Sequence, residues 1–255
     1  MKMNYVFDID GTISFNGIEI SPEIVAALRR LECNGHNLIF ASARPIRDLR
    51  PIIPEFADNH LLIGGNGSIV QNNLNEIEAE NFIENVAFNM IKKIITTHKL
   101  HYVIDDVWHY SANIVPYHKI YQQLDPAKLA NNVAIPAINK PIKIILVDIS
   151  TEKYSSILKQ LQQIKELSII EHTGENSIDI TALGINKYST LQKYIAESYI
   201  AFGNDSNDFE LLSNASRSVW VGGNNDRLRQ LDFVPDVICQ AVNVELSKVI
   251  DDINL

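Results

Sequence analysis

A parallel α/β core interrupted by an α+β insert is the fold class this sequence predicts, and three observations carry it. Residues 1–80 alternate short apolar segments with amphipathic ones in β-α-β-α-β order, which implies a parallel sheet with helices on both faces. From about residue 81 the texture changes to strand-like segments mixed with two long helical patterns. After Asn186 the alternating rhythm returns. The chain therefore divides into a discontinuous core, 1–80 plus 182–255, and an α+β domain inserted at 81–181. At 255 residues and 46% hydrophobic it has enough apolar material for two cores.

Taken in order, residues 3–9 are apolar and β-prone, too short for a helix, and run into polar residues and Gly11. Ser21 and Pro22 open a helix as N-cap and first-turn residue. Ile24, Val25, Leu28 and Leu31 line one face of it, and Gly35 stops it. Residues 37–41 form a second buried strand, followed by a helix led by Pro45 and a third strand near Leu61–Ile63. In the insert a long amphipathic helix carries Ile83, Val86, Met90, Ile91, Ile94 and Ile95. Strand-like segments occupy 101–108 and 143–149. Thr151 caps a helix with Tyr154, Ile157, Leu158, Leu161 and Ile164 on one face, and strands follow near 167–171 and 177–181. Pro116, Pro126, Pro136 and Pro141 make 112–142 irregular, with room for one short helix. The returning core reads as helix 187–197, strand 199–202, helix 207–214, strand 218–221 and a closing helix over 242–251.

The formal net charge is −9. A field of that sign repels nucleic acid and anionic lipid, so neither is expected as a partner. It also repels a phosphorylated metabolite, so any phosphate site must carry its own positive charge. No apolar run approaches the length of a membrane span, and Asp8 is reached before any stretch of signal-peptide length. Cys33 and Cys239 lie too far apart for a disulfide framework or a metal-ligand spacing. A cytoplasmic setting is the resulting expectation.

The strongest chemical signal is Phe7-Asp8-Ile9-Asp10-Gly11-Thr12, directly after a buried strand. In an open parallel sheet, ligands bind beyond the carboxyl ends of the strands. Carboxylates two residues apart point the same way if the strand persists, and Gly11 lets the chain turn away. Three further motifs follow in order: Ala41-Ser42-Ala43-Arg44, Gly184-Ile185-Asn186-Lys187, and Phe202-Gly203-Asn204-Asp205-Ser206-Asn207-Asp208. Taken alone, Ser42 reads as a helix N-cap and Lys187 as a solvated helix residue.

Together, the four motifs and the insert resemble the haloacid dehalogenase superfamily of phosphatases, in its Cof-like branch with a type IIB cap. The resemblance implies a Rossmann-like parallel-sheet core with the α+β cap inserted. It implies a phosphomonoester hydrolase in which Asp8 is the nucleophile, forming an aspartyl-phosphate, and Asp10 the general acid and base. Ser42 and Lys187 would bind phosphate, and Arg44 would line or brace the site; Arg47 and Arg50, one turn on, read as surface residues. Mg²⁺ would be the cofactor, relieving the repulsion between Asp8 and a phosphate dianion. Its ligand set includes Asp8 and Asp10, with Asn204, Asp205 and Asp208 as the candidates from the fourth motif.

Three positions depart from the branch's pattern. Asn204 stands where an Asp usually follows the motif's Gly, so metal should be held more loosely unless Asp205 takes over. Ala43 replaces a usual Gly, and Tyr188 follows Lys187 where a small residue is common. A phosphometabolite-binding protein with attenuated catalysis, and a sugar phosphomutase using the same intermediate, are the alternatives. In this branch the cap lies over the phosphate site and reads the leaving group. The candidates for that role are Asp105, Asp106, His109, Glu171, His172 and Asn176, and a small phosphorylated metabolite such as a sugar phosphate is the expected substrate.

Overall fold

Residues 2–172 and 176–253 are described by the computed structural model of the chain. The chain divides into two compact units, one of Met1–Ile77 with Asn186–Leu255 and one of Glu78–Ile185. The first begins with β1 (Asn4–Phe7), α1 (Pro22–Cys33), β2 (Asn37–Ala41), α2 (Ile46–Leu49), β3 (Leu61–Gly64) and β4 (Ile69–Gln71), and β5 (Ile77–Ala79) leads out of it. The second holds α3 (Asn85–His98), β6 (His101–Asp105), β7 (Tyr110–Ala112), α4 (Lys119–Gln123), β8 (Lys143–Val147), α5 (Thr151–Gln162), β9 (Leu167–His172) and β10 (Ser177–Ala182). The chain then returns as α6 (Lys187–Tyr194), β11 (Tyr199–Gly203), α7 (Phe209–Ser213), β12 (Arg217–Val221), β13 (Val237–Cys239) and α8 (Asn243–Ile253).

Among the described residues the first unit's sheet has the order β13-β12-β11-β1-β2-β3-β4-β5. The strands from β13 to β3 are parallel, and β4 turns back antiparallel on β3. β1 sits in the middle, with Phe7 registered against both Phe40 and Phe202. Their rings pack together: Phe7 and Phe202 stack at 4.6 Å, centroid to centroid. The carboxyl ends of β1, β2, β3 and β11 therefore lie side by side, and every motif with chemistry follows one of these strands or opens α6. The second unit is a five-stranded sheet in the order β7-β6-β8-β10-β9, paired antiparallel throughout. Ile91 and Ile94 of α3 and Ile157 and Leu161 of α5 share a core with Ile104, Ile144, Leu146, Ile178 and Ile180.

Local signals explain most boundaries. The Ser21 hydroxyl accepts from the Ile24 N–H at 3.4 Å, and α1 yields to Gly35 at φ +84°. Asn186 and Ser189 form a reciprocal capping box that starts α6 at Lys187. Several expectations need correction. The first strand spans Asn4–Phe7 and not residues 3–9. α3 starts after Ile83, and its buried stripe runs through Ala87 and Phe88, leaving Val86 and Met90 exposed. Ser150, not Thr151, stands at the N-cap of α5. Arg47 is buried, because its guanidinium closes a two-pronged pair with Asp48 at 2.8 and 2.7 Å. No helix among the described residues is long and apolar enough to cross a membrane.

Candidate active site

Asp8 leaves β1 with its N–H on the Phe202 carbonyl at 3.0 Å, so it still belongs to the sheet's hydrogen-bond pattern. Its side chain is buried. Lys187 Nζ donates to Oδ1 at 2.5 Å, and the Thr12 hydroxyl donates to Oδ2 at 2.8 Å. The carboxylate is thus fixed from both sides. Lys187 is fully buried and donates a second time, to Asp208 Oδ1 at 2.7 Å. The other oxygen of Asp208 accepts the N–H groups of Asn204 and Asp205, at 3.0 and 3.2 Å. Asp208 therefore holds Lys187 in place and ties down the loop after β11. Both of its oxygens are engaged, so it stands behind Lys187 as a support.

The electrostatics of this buried set are lopsided. Burial first, then the Asp208 charge, push the Asp8 carboxyl up from its ordinary 3.8 to about 7, against the opposing pull of Lys187 and Thr12. Burial alone would lower Lys187, but the Asp208 and Asp8 carboxylates outweigh it and hold the ammonium above the usual lysine range. Lys187 stays charged throughout the physiological range, whereas Asp8 is brought to titrate near neutral pH. Groups shifted this way concentrate at functional sites.

Asp10 sits across the Gly11 turn, and its carboxylate is 41% exposed. Arg44 grips it with two bonds, Nε at 2.8 Å and a terminal nitrogen at 2.6 Å, and that terminal nitrogen also donates to the Gly17 carbonyl at 2.9 Å. Arg44 itself is buried. A planar fork of this kind fixes both the direction and the plane of the carboxylate. Gly11 adopts φ +80°, and a Cβ there would collide with the Asn204 amide. Ser42 is fully buried, and its hydroxyl accepts the Arg44 N–H at 3.1 Å.

The fourth-motif candidates separate. The inward atom of the Asn204 amide lies 3.1 Å from the Asp10 carbonyl oxygen and 3.2 Å from both Asp8 Oδ2 and Thr12 Oγ1. With NH₂ inward, the amide donates to all three. With its oxygen inward, the Asn204 amide would face the Asp8 carboxylate and the Asp10 carbonyl with a third oxygen, and hard oxygens of this kind suit Mg²⁺. The Asp10 side chain is held by Arg44, and its backbone oxygen is the atom that faces Asn204. Asp205 is committed elsewhere: Oδ1 accepts the Ser206 N–H at 2.6 Å, and Oδ2 pairs with Arg227 at 2.5 Å. Among the described residues no group of three His, Cys, Asp or Glu side chains forms a metal cage.

The second unit gives its candidates mixed roles. Asp105 is buried, and Asp106 is occupied by the N–H groups of Val107, Asn139 and Lys140. His109 Nδ1 accepts the Asn131 N–H at 3.2 Å. Glu171 and Asn176 are exposed, while the His172 side chain lies outside the described residues.

The sequence reading missed the turn after β3. Gly65, Asn66 and Gly67 all take positive φ, and the turn's N–H groups bond the carbonyls of Arg44 and Ser42. The signal was present as Gly64-Gly65-Asn66-Gly67 at the end of a buried strand.

The family model for haloacid dehalogenase-like hydrolases matches residues 5–233. A phosphatase of 5-amino-6-(5-phospho-D-ribitylamino)uracil from Bacillus subtilis is 25% identical over 237 residues, covering 90% of this chain and 88% of its own. An HMP-PP phosphatase from Yersinia enterocolitica is 26% identical over 243 residues, covering 88% of this chain and 85% of its own. The solved structure of a haloacid dehalogenase subclass IIB sugar phosphatase superposes with a TM-score of 0.77 at 17% identity, covering 99% of both chains.

Proposed function

This chain belongs to the haloacid dehalogenase-like hydrolases and is a phosphatase, and from that premise we propose that it hydrolyses the phosphate monoester of a small metabolite through Asp8. The observation that carries the reading is the buried Lys187, clamped between Asp8 at 2.5 Å and Asp208 at 2.7 Å. A carboxylate kept dry, immobile and flanked by a fixed ammonium suits a nucleophile.

Asp8 attacks phosphorus and forms an aspartyl-phosphate as the bond to the leaving oxygen breaks. Asp10, held by Arg44, gives that oxygen its proton. A water then attacks phosphorus while Asp10 takes its proton, releasing inorganic phosphate and restoring the Asp8 carboxylate. Lys187 and Ser42 bind the non-bridging oxygens, and Arg44 keeps Asp10 aligned. With Asp10 protonated for its role as acid, the carboxylates of Asp8 and Asp208 are balanced by Lys187 and Arg44, so the side chains leave no net positive charge for a phosphate dianion. Asp8, the Asp10 carbonyl and Asn204 would hold Mg²⁺, which would supply the missing positive charge for the phosphate dianion.

The substrate class follows from the relatives and the charge. A ribityl-phosphate compound, HMP-PP and a sugar phosphate are what the three related proteins are named for. A sugar or polyol phosphate fits an acidic chain better than a polyanionic nucleotide. A panel of some dozens of phosphorylated metabolites with Mg²⁺, read by released phosphate, tests this. Release from sugar or polyol phosphates is the expected result, and release from none of the panel overturns the reading.

The neutral Asn204 gives a second expectation. Asn204→Asp adds one negative charge at the metal position and should lower the half-saturating Mg²⁺ about tenfold, on the order of 1–2 kcal/mol. Asp205→Asn should leave it unchanged, because that carboxylate serves Ser206 and Arg227. The reverse pattern in a Mg²⁺ titration would place the ligand one residue along.

A further inference from the structure

One turn touches three of the four segments that carry the chemistry. It follows β3 and comprises Gly65, Asn66 and Gly67, at φ +58°, +56° and +106°. Its backbone holds both ends of the Ser42–Arg44 turn: the Gly65 N–H donates to the Arg44 carbonyl at 2.8 Å, and the Asn66 N–H to the Ser42 carbonyl at 3.0 Å. The Gly67 carbonyl accepts the Thr190 hydroxyl at 2.7 Å, one turn along α6 from Lys187. A Cβ on Gly67 would collide with the Asn186 carbonyl, so this close approach to the start of α6 requires glycine. The Asn66 side chain reaches the third segment, accepting from Asn207 Nδ2 at 2.9 Å in the loop between Asn204 and Asp208.

Left-handed φ at a position flanked by two glycines is open to glycine or asparagine, and only asparagine brings a side chain. Asn66 is 6% exposed and spends its side-chain oxygen on Asn207. Asparagine tolerates the left-handed turn, and its side-chain oxygen adds the bond to Asn207 that glycine could not make.

We propose that Asn66 is a positioning residue of the phosphate site, holding the Ser42 turn through its backbone and the Asn207 loop through its side chain at once. It does not touch the reacting atoms. It sets the spacing between the Ser42 side of the phosphate and the Asn204–Asp208 side, a spacing otherwise left to two separate loops. The inference rests on the phosphatase reading for its consequence in turnover.

Asn66→Gly keeps the left-handed backbone and deletes only the side-chain acceptor, while Asn207→Ala deletes the donor. Inorganic phosphate binding by calorimetry in Mg²⁺ buffer, and kcat/KM on the best substrate of the panel, are measured for wild type, both single variants and the double. Each single variant should weaken phosphate binding and lower kcat/KM about tenfold, with the thermal midpoint near that of wild type. The double should lose no more than the worse single, since both remove one bond. Wild-type phosphate affinity in Asn66→Gly, or additive losses in the double, overturns the inference. Should Asn66→Gly fail to fold, Asn207→Ala reads the same bond from its other end, and wild-type phosphate affinity there overturns it equally. A wild type that binds phosphate but hydrolyses no monoester removes the phosphatase reading alone, because the binding comparison does not depend on turnover.

Discussion

Asp8→Asn is expected to abolish turnover, by about 10⁴-fold or more, while raising the thermal stability of the metal-free protein. The first half follows from chemistry: an amide of the same shape keeps an oxygen for the Lys187 ammonium and can donate to the Thr12 hydroxyl, but cannot attack phosphorus. The second half follows from the folded carboxyl being pushed up to about 7 from 3.8. Between those two pH values folded Asp8 holds a proton that the unfolded chain has released, so wild-type stability falls as pH rises across that window. The amide does not titrate and escapes the loss. Melting curves in chelator should therefore show wild type and the Asp8→Asn variant close together near pH 4 and diverging toward pH 7, with the variant higher by a few degrees. A folded variant with wild-type rates removes Asp8 from the nucleophile's role. A variant less stable than wild type at pH 8 would mean that the Lys187 pair outweighs burial and the Asp208 charge.

That trade between stability and reactivity is visible in which parts of the chain were legible from sequence. β2 is Asn37–Ala41, the range its apolar run marks, because a buried parallel strand is a contiguous block bounded by polar residues. β4, β5 and β13 are three residues each and carry too little pattern to stand out. The α3 stripe was misplaced for a different reason. Val86 and Met90 are apolar at helical spacing, yet the register of the helix on its sheet is set by Phe88 and Ile91.

The site divides along the same line. As candidates, Asp8, Ser42 and Lys187 stood out because each follows or faces a strand end within a recognisable run. What their side chains do depends on partners far away in sequence: Lys187 reaches Asp8 across 179 positions, and Arg44 reaches Asp10 across 34. Which of Asn204, Asp205 and Asp208 faces Asp8 depends on how three side chains of one loop point, which spacing does not encode. Arg47 shows the limit from the other side. Adjacent residues on a helix do not normally face one another, so its buried pair with Asp48 had no sequence signal.

Lys187→Met should be the most destabilising single change in the core. The ammonium is fully buried, and its removal leaves Asp8 and Asp208 at 4% and 0% exposure with no cation between them. Breaking a buried pair by deleting one partner costs about 3–5 kcal/mol, because the remaining charge stays desolvated. Here two carboxylates remain, and Asp208 is tied by the N–H groups of Asn204 and Asp205, so Asp8 is the one that gives way by taking up a proton. Its folded carboxyl, already raised, rises further once the lysine is gone. Stability of the variant should then fall with increasing pH and recover on acidification, more steeply than in wild type. The decisive comparison is Lys187→Met against Lys187→Met with Asp8→Asn. If repulsion between the two carboxylates is the cause, the second substitution restores much of the lost stability at pH 8, and both proteins remain inactive. If the double variant melts no higher than the single, the loss comes from the packing of the lysine stem, and the charge account of this site is wrong.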